Sequence, residues 1–194
     1  MMERSRPSAR TRLFLLLLCG LMAGAMFAGC GGGEKKAAPD DWVADICKGA
    51  ETYSEQRSAA LLTFFNVDSE DGQAMYAGLS QYTSTNAKSL ESFAAAVKAA
   101  GVPDVQGGDK VAKAANQYAK QGQDDNSQAI KELAKLDKTS DTLASEVDDI
   151  FFEIDFADLR KLLKASGAAD SDTIIGKFEA KSSCAFVLFP QDQP

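Results

Sequence analysis

The sequence contains no histidine. Histidine is the usual general base near neutral pH and a common metal ligand, so its absence excludes Ser/His and Cys/His nucleophilic arrangements and every imidazole metal site. The sequence also lacks a serine followed three residues later by lysine, the spacing of a Ser-x-x-Lys dyad. We therefore expect a protein that is not an enzyme and that uses no cofactor.

Acidic residues outnumber basic residues in the chain beyond residue 29. Of the 21 basic and 28 acidic residues in the chain, four arginines and one glutamate lie within residues 1–29. The rest of the chain therefore carries 17 basic and 27 acidic side chains, a net charge of −10. Such a surface repels phosphate backbones, and no basic run offsets the repulsion. Nucleic acid is not expected as a partner.

The first thirty residues have the layout of an export signal. Four arginines precede the apolar run Leu13–Leu18, small residues follow, and the segment ends in Phe27-Ala28-Gly29-Cys30. A basic start, an apolar core and small residues before a cleavage point make up a secretory signal peptide. The apolar part, Leu13–Phe27, is short for a spanning helix, which needs about 20 apolar residues. We interpret residues 1–29 as a signal peptide.

The end of this segment resembles the signal of bacterial lipoproteins, in which an apolar residue and two small residues precede a cysteine. Phe27 stands where that family usually has leucine, valine or isoleucine, whereas Ala28 and Gly29 fit the pattern. The resemblance implies cleavage before Cys30, a diacylglycerol on its thiol and a fatty acid such as palmitate on the new amino terminus. We then expect a lipid anchor that holds the protein on the extracytoplasmic face of the cell membrane. An ordinary secretion signal or an uncleaved anchor helix is the alternative.

This interpretation assigns a role to each of the four cysteines. Cys19 leaves with the signal peptide, Cys30 takes the lipid, and Cys47 and Cys184 remain. In an oxidising compartment such a pair indicates a disulfide, so we predict a Cys47–Cys184 bridge, with two separate thiols as the alternative.

A glycine-rich segment follows the signal peptide. Residues 30–40 are predicted to be the lipidated cysteine and a flexible tether, because Gly31–Asp40 contains three glycines, charged residues and Pro39. Residues 41–189 are predicted to form one helical domain, and residues 190–194 a C-terminal tail.

Apolar residues recur at steps of three and four through most of this domain, which predicts four long helices and two short C-terminal ones. A break at Gly122–Asn126 is expected between the third and fourth helices, and one continuous rod is the alternative. Short connections favour antiparallel neighbours. The predicted fold is all-α, an up-and-down antiparallel four-helix bundle with short C-terminal helices, stapled by one disulfide. The residues expected to cap or stop the helices are Asp40 or Asp41, Asp68 or Ser69, Gly101, Pro103, Asp155, Gly167 and Asp170.

Three features together suggest a second resemblance. They are a cysteine in the first helix, the helix stop Gly101–Asp104, and the closing segment Phe178–Cys184. In these features the chain resembles uncharacterised small secreted helical lipoproteins of Gram-positive bacteria. The resemblance implies the helical architecture and the bridge, and it brings no activity with it.

Two polar residues lie on the apolar stripes, where a buried polar group needs a partner. Arg57 and Asn86 are expected either to fix the register of the helices, to line a pocket between them, or to face a solvated end of the bundle.

Glu146, Asp149 and Glu153 share one helical face and could offer oxygen ligands to Ca²⁺. A solvated face or a partner contact is the ordinary interpretation, so no metal site is predicted. The apolar patch Phe186–Phe189 is expected to cover one end of the bundle or to contact a partner.

These observations favour a non-catalytic helical binding or scaffolding protein of the cell envelope. The membrane is expected as a partner through the lipid anchor, together with an envelope protein. The alternative function is a carrier or sensor that holds a small apolar ligand between helices.

Overall fold

The structure of the protein is a computed structural model, which describes residues 36–154 and 158–181 together with Cys184 and Leu188. The described part is mostly helical and belongs to one compact unit. It contains six helices and two strands of two residues each. In chain order the elements are β1 (Lys36–Ala37), α1 (Pro39–Phe65), α2 (Gly72–Ala100), β2 (Val102–Pro103), α3 (Gly108–Leu133), α4 (Leu143–Glu153), α5 (Leu159–Ala165) and α6 (Ser171–Glu179).

The folded part begins earlier than the sequence predicts. Lys36 and Ala37 pair in parallel with Val102 and Pro103, and the Asp104 amide donates to the Ala37 carbonyl at 2.8 Å. Residues 36–40, assigned above to the tether, therefore belong to β1 and the start of α1. Two-residue strands are too short to show an alternating pattern, so no sequence pattern predicts them.

The start of α1 differs from the expected cap. Pro39 is its first residue and Ala38 occupies the cap position, with no side-chain hydrogen bond there. Proline suits the first helical position because its φ is already near the helical value and its missing N–H would be unpaired anyway. Asp40 and Asp41 lie in the first turn instead, where their negative charges interact favourably with the positive end of the helix dipole.

The start of α2 also differs. Asp71, rather than Asp68 or Ser69, is its cap, and its carboxylate accepts from the Gln73 and Ala74 amides at 2.9 and 3.0 Å. Asp68 serves the preceding turn, where it accepts from the Glu70 amide. The C-terminal end is as expected, since α2 ends at Gly101, whose φ of +72° favours glycine.

The expected break at Gly122–Asn126 is wrong, because α3 runs without interruption from Gly108 to Leu133. Gly122 packs closely on α2, and a Cβ there would lie 2.9 Å from Leu90 Cδ2. Asn126 is buried and hydrogen-bonded to Asn86. These turn-type residues therefore serve helix packing, and the chain breaks at residues 134–142 instead. The predicted fourth long helix shortens to the 11 residues of α4.

Asp155, the residue expected to cap the fifth helix, lies outside the described residues. Helix α5 begins at Leu159 with Asp158 as its cap, which accepts from the Arg160 amide at 2.8 Å. Asp170 occupies the cap position of α6 as predicted, but its carboxylate accepts from the Gln106 amide at 2.8 Å rather than from α6. It thereby joins the start of α6 to the loop before α3.

The buried apolar side chains form two clusters. The first core cluster joins the start of α1, the end of α2, and α3, α5 and α6; the second joins the end of α1, the start of α2, the end of α3, and α4. The first cluster includes Trp42, Ile46, Phe93, Leu163, Ile174, Phe178 and Leu188. The second includes Phe64, Met75, Leu79, Tyr82, Leu133, Leu143 and Ile150. Leu188 shows that part of the segment 186–189 enters the core, whereas Phe186 and Phe189 lie outside the described residues.

The predicted disulfide is confirmed. Cys47 and Cys184 are bonded, with Cα atoms 5.1 Å apart, and both belong to the first core cluster. The bridge spans 137 residues and ties α1 to the C-terminal end of the domain. Trp42 strengthens the same region, because its Nε1 donates to the Gly101 carbonyl at 3.0 Å and its ring meets Phe178 edge to face.

Candidate functional site

The predicted lipid attachment site, Cys30, lies outside the described residues. Cys47 and Cys184 are bonded to each other and almost fully buried, so neither sulfur serves as a nucleophile or a metal ligand. Among the described residues no group of three acidic, cysteine or histidine side chains is placed to hold a metal ion. None of the helices in that part of the chain is both long enough and apolar enough to cross a membrane.

Arg57 lies half-buried between α1 and α2. Its Nε donates to the Tyr82 hydroxyl at 3.3 Å, and Tyr82 is fully buried in the second core cluster. Burial raises the pKa of nearby Tyr53 to about 12, while the Arg57 charge acts in the opposite direction. Arg57 therefore links a surface position of α1 to the interior of α2.

Asn86 lies inside the protein, with 3% of its surface exposed. Its Nδ2 donates to Asn126 Oδ1 at 2.9 Å, and Asn126 Nδ2 donates to the Thr83 carbonyl at 3.0 Å. The Asn86 Oδ1 atom has no hydrogen-bond partner among the described residues. This chain of amides connects the buried faces of α2 and α3.

A groove of about 240 Å³ lies between α1 and α2. Pockets that bind drug-sized ligands usually have about 300–1,000 Å³ and mostly apolar walls. This groove is smaller, and neither Arg57 nor Asn86 lines it. Its walls mix charged, hydroxyl and small side chains, namely Asp45, Lys48, Gly49, Thr52, Tyr53, Ser89, Ser92 and Ala96.

The acidic face of α4 does not converge on one point. Glu146 accepts hydrogen bonds from the Thr142 and Ser140 hydroxyls, so it closes the N-terminal end of its own helix. Asp149 and Glu153 point to solvent. Of the three carboxylates predicted to share a face, one is therefore hydrogen-bonded to the turn before α4 and two are exposed.

The most distinctive surface feature was not predicted from the sequence. Leu62 and Phe65 near the end of α1 are each 63% exposed, and Phe152 near the end of α4 is 76% exposed. Half-buried Phe151 joins them, because its ring centroid lies 5.5 Å from that of Phe65 and 5.6 Å from that of Phe152. We call Leu62, Phe65, Phe151 and Phe152 the aromatic surface.

The second core cluster supports the aromatic surface from below. The Phe64 ring, which is buried, lies 5.0 Å from Phe151, and the Tyr82 ring lies 6.1 Å from Phe151. Aromatic pairs at these distances contribute about 0.5–1.5 kcal/mol each beyond the area they bury. The exposed rings are thus held on a packed base rather than on a loop.

Local sequence explains why these side chains remain outside. Successive residues of a helix point about 100° apart, so adjacent large apolar residues cannot all face one core. Phe64 and Ile150 take the inward positions, which leaves Phe65 and Phe152 outward. Adjacent large apolar residues that are too many for one helical face predict an exposed apolar surface, and this sequence signal could have identified the aromatic surface.

The chain segments that carry the aromatic surface contain no basic residue. Residues 58–87 and 139–159 contain ten acidic residues and no lysine or arginine. Among the basic residues that border these segments, Arg57 donates to the Tyr82 hydroxyl, and Lys138 Nζ lies 4.1 Å from the centre of the Tyr76 ring. The aromatic surface therefore lies in a negative region.

The aromatic surface is remote from the start of the folded chain. Helix α1 has 27 residues and is about 40 Å long at 1.5 Å per residue. Its first turn lies beside β1 and the first core cluster, and its last turn carries Leu62 and Phe65. The start of the folded chain and the exposed rings therefore lie at opposite ends of α1.

Comparison of the chain with protein-family models, with curated proteins and with solved structures finds no match.

Proposed function

We propose that the protein is a lipid-anchored, extracytoplasmic protein of the cell envelope that binds another macromolecule through the aromatic surface and catalyses no reaction. The observation that carries the proposal is the exposure of Leu62, Phe65 and Phe152. Leu62 and Phe65 lie in the last turn of α1, far from the start of the folded chain, and Phe152 of α4 is joined to them through Phe151. Exposed aromatic clusters on a packed base are typical of protein interfaces.

The position of the anchor residue supports this role. Cys30 precedes β1 by only six residues, so acyl chains on its thiol would place the first core cluster nearest to the bilayer. The length of α1 would then hold the aromatic surface about 40 Å farther along the domain. Two or three acyl chains give stable anchoring, whereas one gives only marginal binding.

The proposal includes the antiparallel up-and-down order of the long helices. The first core cluster contains the start of α1 with the end of α2, and the second contains the reverse ends. Short connections between α1, α2 and α3 favour the same order. Distances between spin labels at the helix ends test it.

The carrier or sensor function has less support. It needs a cavity of about 300–1,000 Å³ between helices, and the groove between α1 and α2 has a volume of only about 240 Å³. A specific partner surface is therefore the better account of the described residues.

The anchor is tested by comparing wild type with Cys30→Ser in the native host. The wild type should lose residues 1–29, gain the mass of its acyl chains and sediment with membranes, and the variant should be released. An uncut or unacylated wild-type product would overturn the anchor.

The binding role is tested by placing the photocrosslinker benzoyl-phenylalanine at position 152 of the full chain. Position 130 is the control, because Ile130 is also an exposed large apolar residue but lies on α3. Irradiation of native membranes should give a protein adduct from position 152 and none from position 130. The absence of an adduct at 152, or equal adducts at both positions, would overturn the binding role.

A further inference from the structure

The chemistry of the aromatic surface restricts what can cover it. Among the described residues four large apolar side chains are exposed, and the three with the largest exposed fraction, Leu62, Phe65 and Phe152, belong to this surface. Leu62 and Phe65 are three residues apart and share one face of α1, and Phe152 is joined to them through Phe151. An occupant must therefore present a continuous apolar side.

Carboxylates border the apolar side chains directly. Asp148 and Asp149 precede Phe152 by four and three residues, so both are its neighbours on the surface of α4, and Glu153 follows it. All three are exposed. An occupant that covers Phe152 must therefore meet several negative charges at its edge.

From this arrangement we propose that the aromatic surface binds a cationic amphipathic segment of a partner protein, with apolar side chains on one face and lysine or arginine at the edges. The inference rests on the proposed function and names the chemistry of its partner. Apolar contact supplies the binding, and the carboxylates of α4 select a positive edge and speed association. Asp148, Asp149 and Glu153 form no ion pair within the described part of the chain, and residues 58–87 and 139–159 contain no lysine or arginine.

Other occupants fit the same surface less well. A second copy of the chain, related by two-fold symmetry, would bring the Asp148 and Asp149 side chains of both copies to one interface, where like charges repel. An anionic bilayer is repelled by the same carboxylates. A polyanion is excluded for the same reason, since the whole chain beyond residue 29 carries a net charge of −10.

The test uses three synthetic helical peptides of about 18 residues, roughly five turns. All three have leucine at the same helical positions, and the remaining positions carry lysine, glutamine or glutamate. Each is added to the full chain in membranes from its host, with benzoyl-phenylalanine at position 152, and the peptide concentration that gives half-maximal crosslinking is measured. The site-specific adduct separates binding at the aromatic surface from general association with the membrane.

The lysine peptide should crosslink at the lowest concentration, and raising the salt from about 0.05 to about 0.5 M should weaken it because exposed charges are screened. Phe65→Ser and Leu62→Ser should each raise the half-maximal concentration about tenfold. Asp148→Asn with Asp149→Asn should raise it about fivefold and flatten the salt dependence. The matched controls, Ile130→Ser and the pair Asp45→Asn with Glu91→Gln, remove equivalent groups elsewhere and should leave it unchanged.

Several results would overturn the inference. They are equal crosslinking of the glutamine peptide, preference for the glutamate peptide, no crosslinking of the lysine peptide up to about 1 mM (a binding free energy of only about −4 kcal/mol), or adducts of position 152 with a second copy or with lipid. If native membranes still give a protein adduct at position 152, the proposed function stands and only the partner chemistry is wrong. If native membranes give no adduct either, both fail.

Discussion

Asn86 Nδ2 donates a hydrogen bond to Asn126 Oδ1 at 2.9 Å, and the two side chains are 3% and 1% exposed. They connect α2 and α3 inside the protein, and Asn126 Nδ2 also donates to the Thr83 carbonyl of α2 at 3.0 Å. Because a buried amide pairs only at one alignment of the helices, the contact disfavours a slip of α3 along α2. Buried polar pairs are best known for fixing how two helices align along their axes, and we assign that role to Asn86 and Asn126.

We expect Asn126→Leu to lower the free energy of unfolding by about 2–3 kcal/mol, because it leaves the Asn86 amide buried without a partner. Asn86→Leu with Asn126→Leu together should cost less than about 1.5 kcal/mol, since both polar groups are then removed. Chemical denaturation of the two single variants and the double variant measures the coupling. A double variant as unstable as the sum of the single ones would contradict a paired role.

The disulfide should be a major source of stability. Replacing Cys47 and Cys184 by alanine opens a loop of 137 residues and should lower the free energy of unfolding by about 2–5 kcal/mol. Thermal unfolding of the double variant beside the oxidised and reduced wild type measures the effect. A reduced wild type that unfolds like the oxidised protein would show that the bridge does not stabilise the fold.

Stability should fall in alkaline solution because of Tyr53. Burial raises the pKa of its hydroxyl to about 12 from an ordinary value near 10, so the folded state holds the proton more tightly than the unfolded chain. The stabilisation is complete below about pH 10 and is lost as the pH rises toward 12, by roughly 2–3 kcal/mol in total for this group.

Urea denaturation at about pH 8 and about pH 11 checks the effect of Tyr53, with Tyr53→Phe as the comparison. The variant should lose less stability between the two pH values, because its ring cannot ionise. Tyr118, whose pKa burial also raises, should add to the alkaline loss in both proteins. Equal losses in wild type and variant would assign the alkaline sensitivity to other groups.

The sequence correctly predicts those elements whose signals allow only one structural interpretation. The stripe of α2 and its end at Gly101 are strong because apolar spacing and a left-handed glycine agree. The Cys47–Cys184 bridge follows from counting cysteines. The break at Gly122–Asn126 was wrong because glycine and asparagine also serve close packing and buried hydrogen bonds, and only the neighbouring helix decides between these uses.

The aromatic surface was missed for a related reason. Phe151 and Phe152 are adjacent, and the stripe of α4 accounts for Ile150 without them. Whether the extra apolar residues are covered depends on the helix that packs beside them, which periodicity within one segment does not reveal. The short strands β1 and β2 were missed because two residues carry no period.

Two helical glycines should respond in opposite directions to alanine. A Cβ on Gly108, the first residue of α3, would lie 2.1 Å from the Pro103 carbonyl oxygen, whereas a Cβ on Gly176 within α6 would meet nothing within 4 Å. Backbone cannot move aside as a flexible side chain can, so Gly108→Ala must push β2 away from the start of α3.

We therefore expect Gly108→Ala to lower the free energy of unfolding by about 2 kcal/mol or more, in the range of other strained core substitutions. Gly176→Ala should raise it by about 0.5–1 kcal/mol, because alanine favours a helix interior and restricts the unfolded chain. The pair of substitutions separates steric exclusion from helix propensity, which alone would not make Gly108→Ala less stable. Denaturant midpoints measured side by side decide the matter, and a stabilised Gly108→Ala variant would show that β2 does not press against α3.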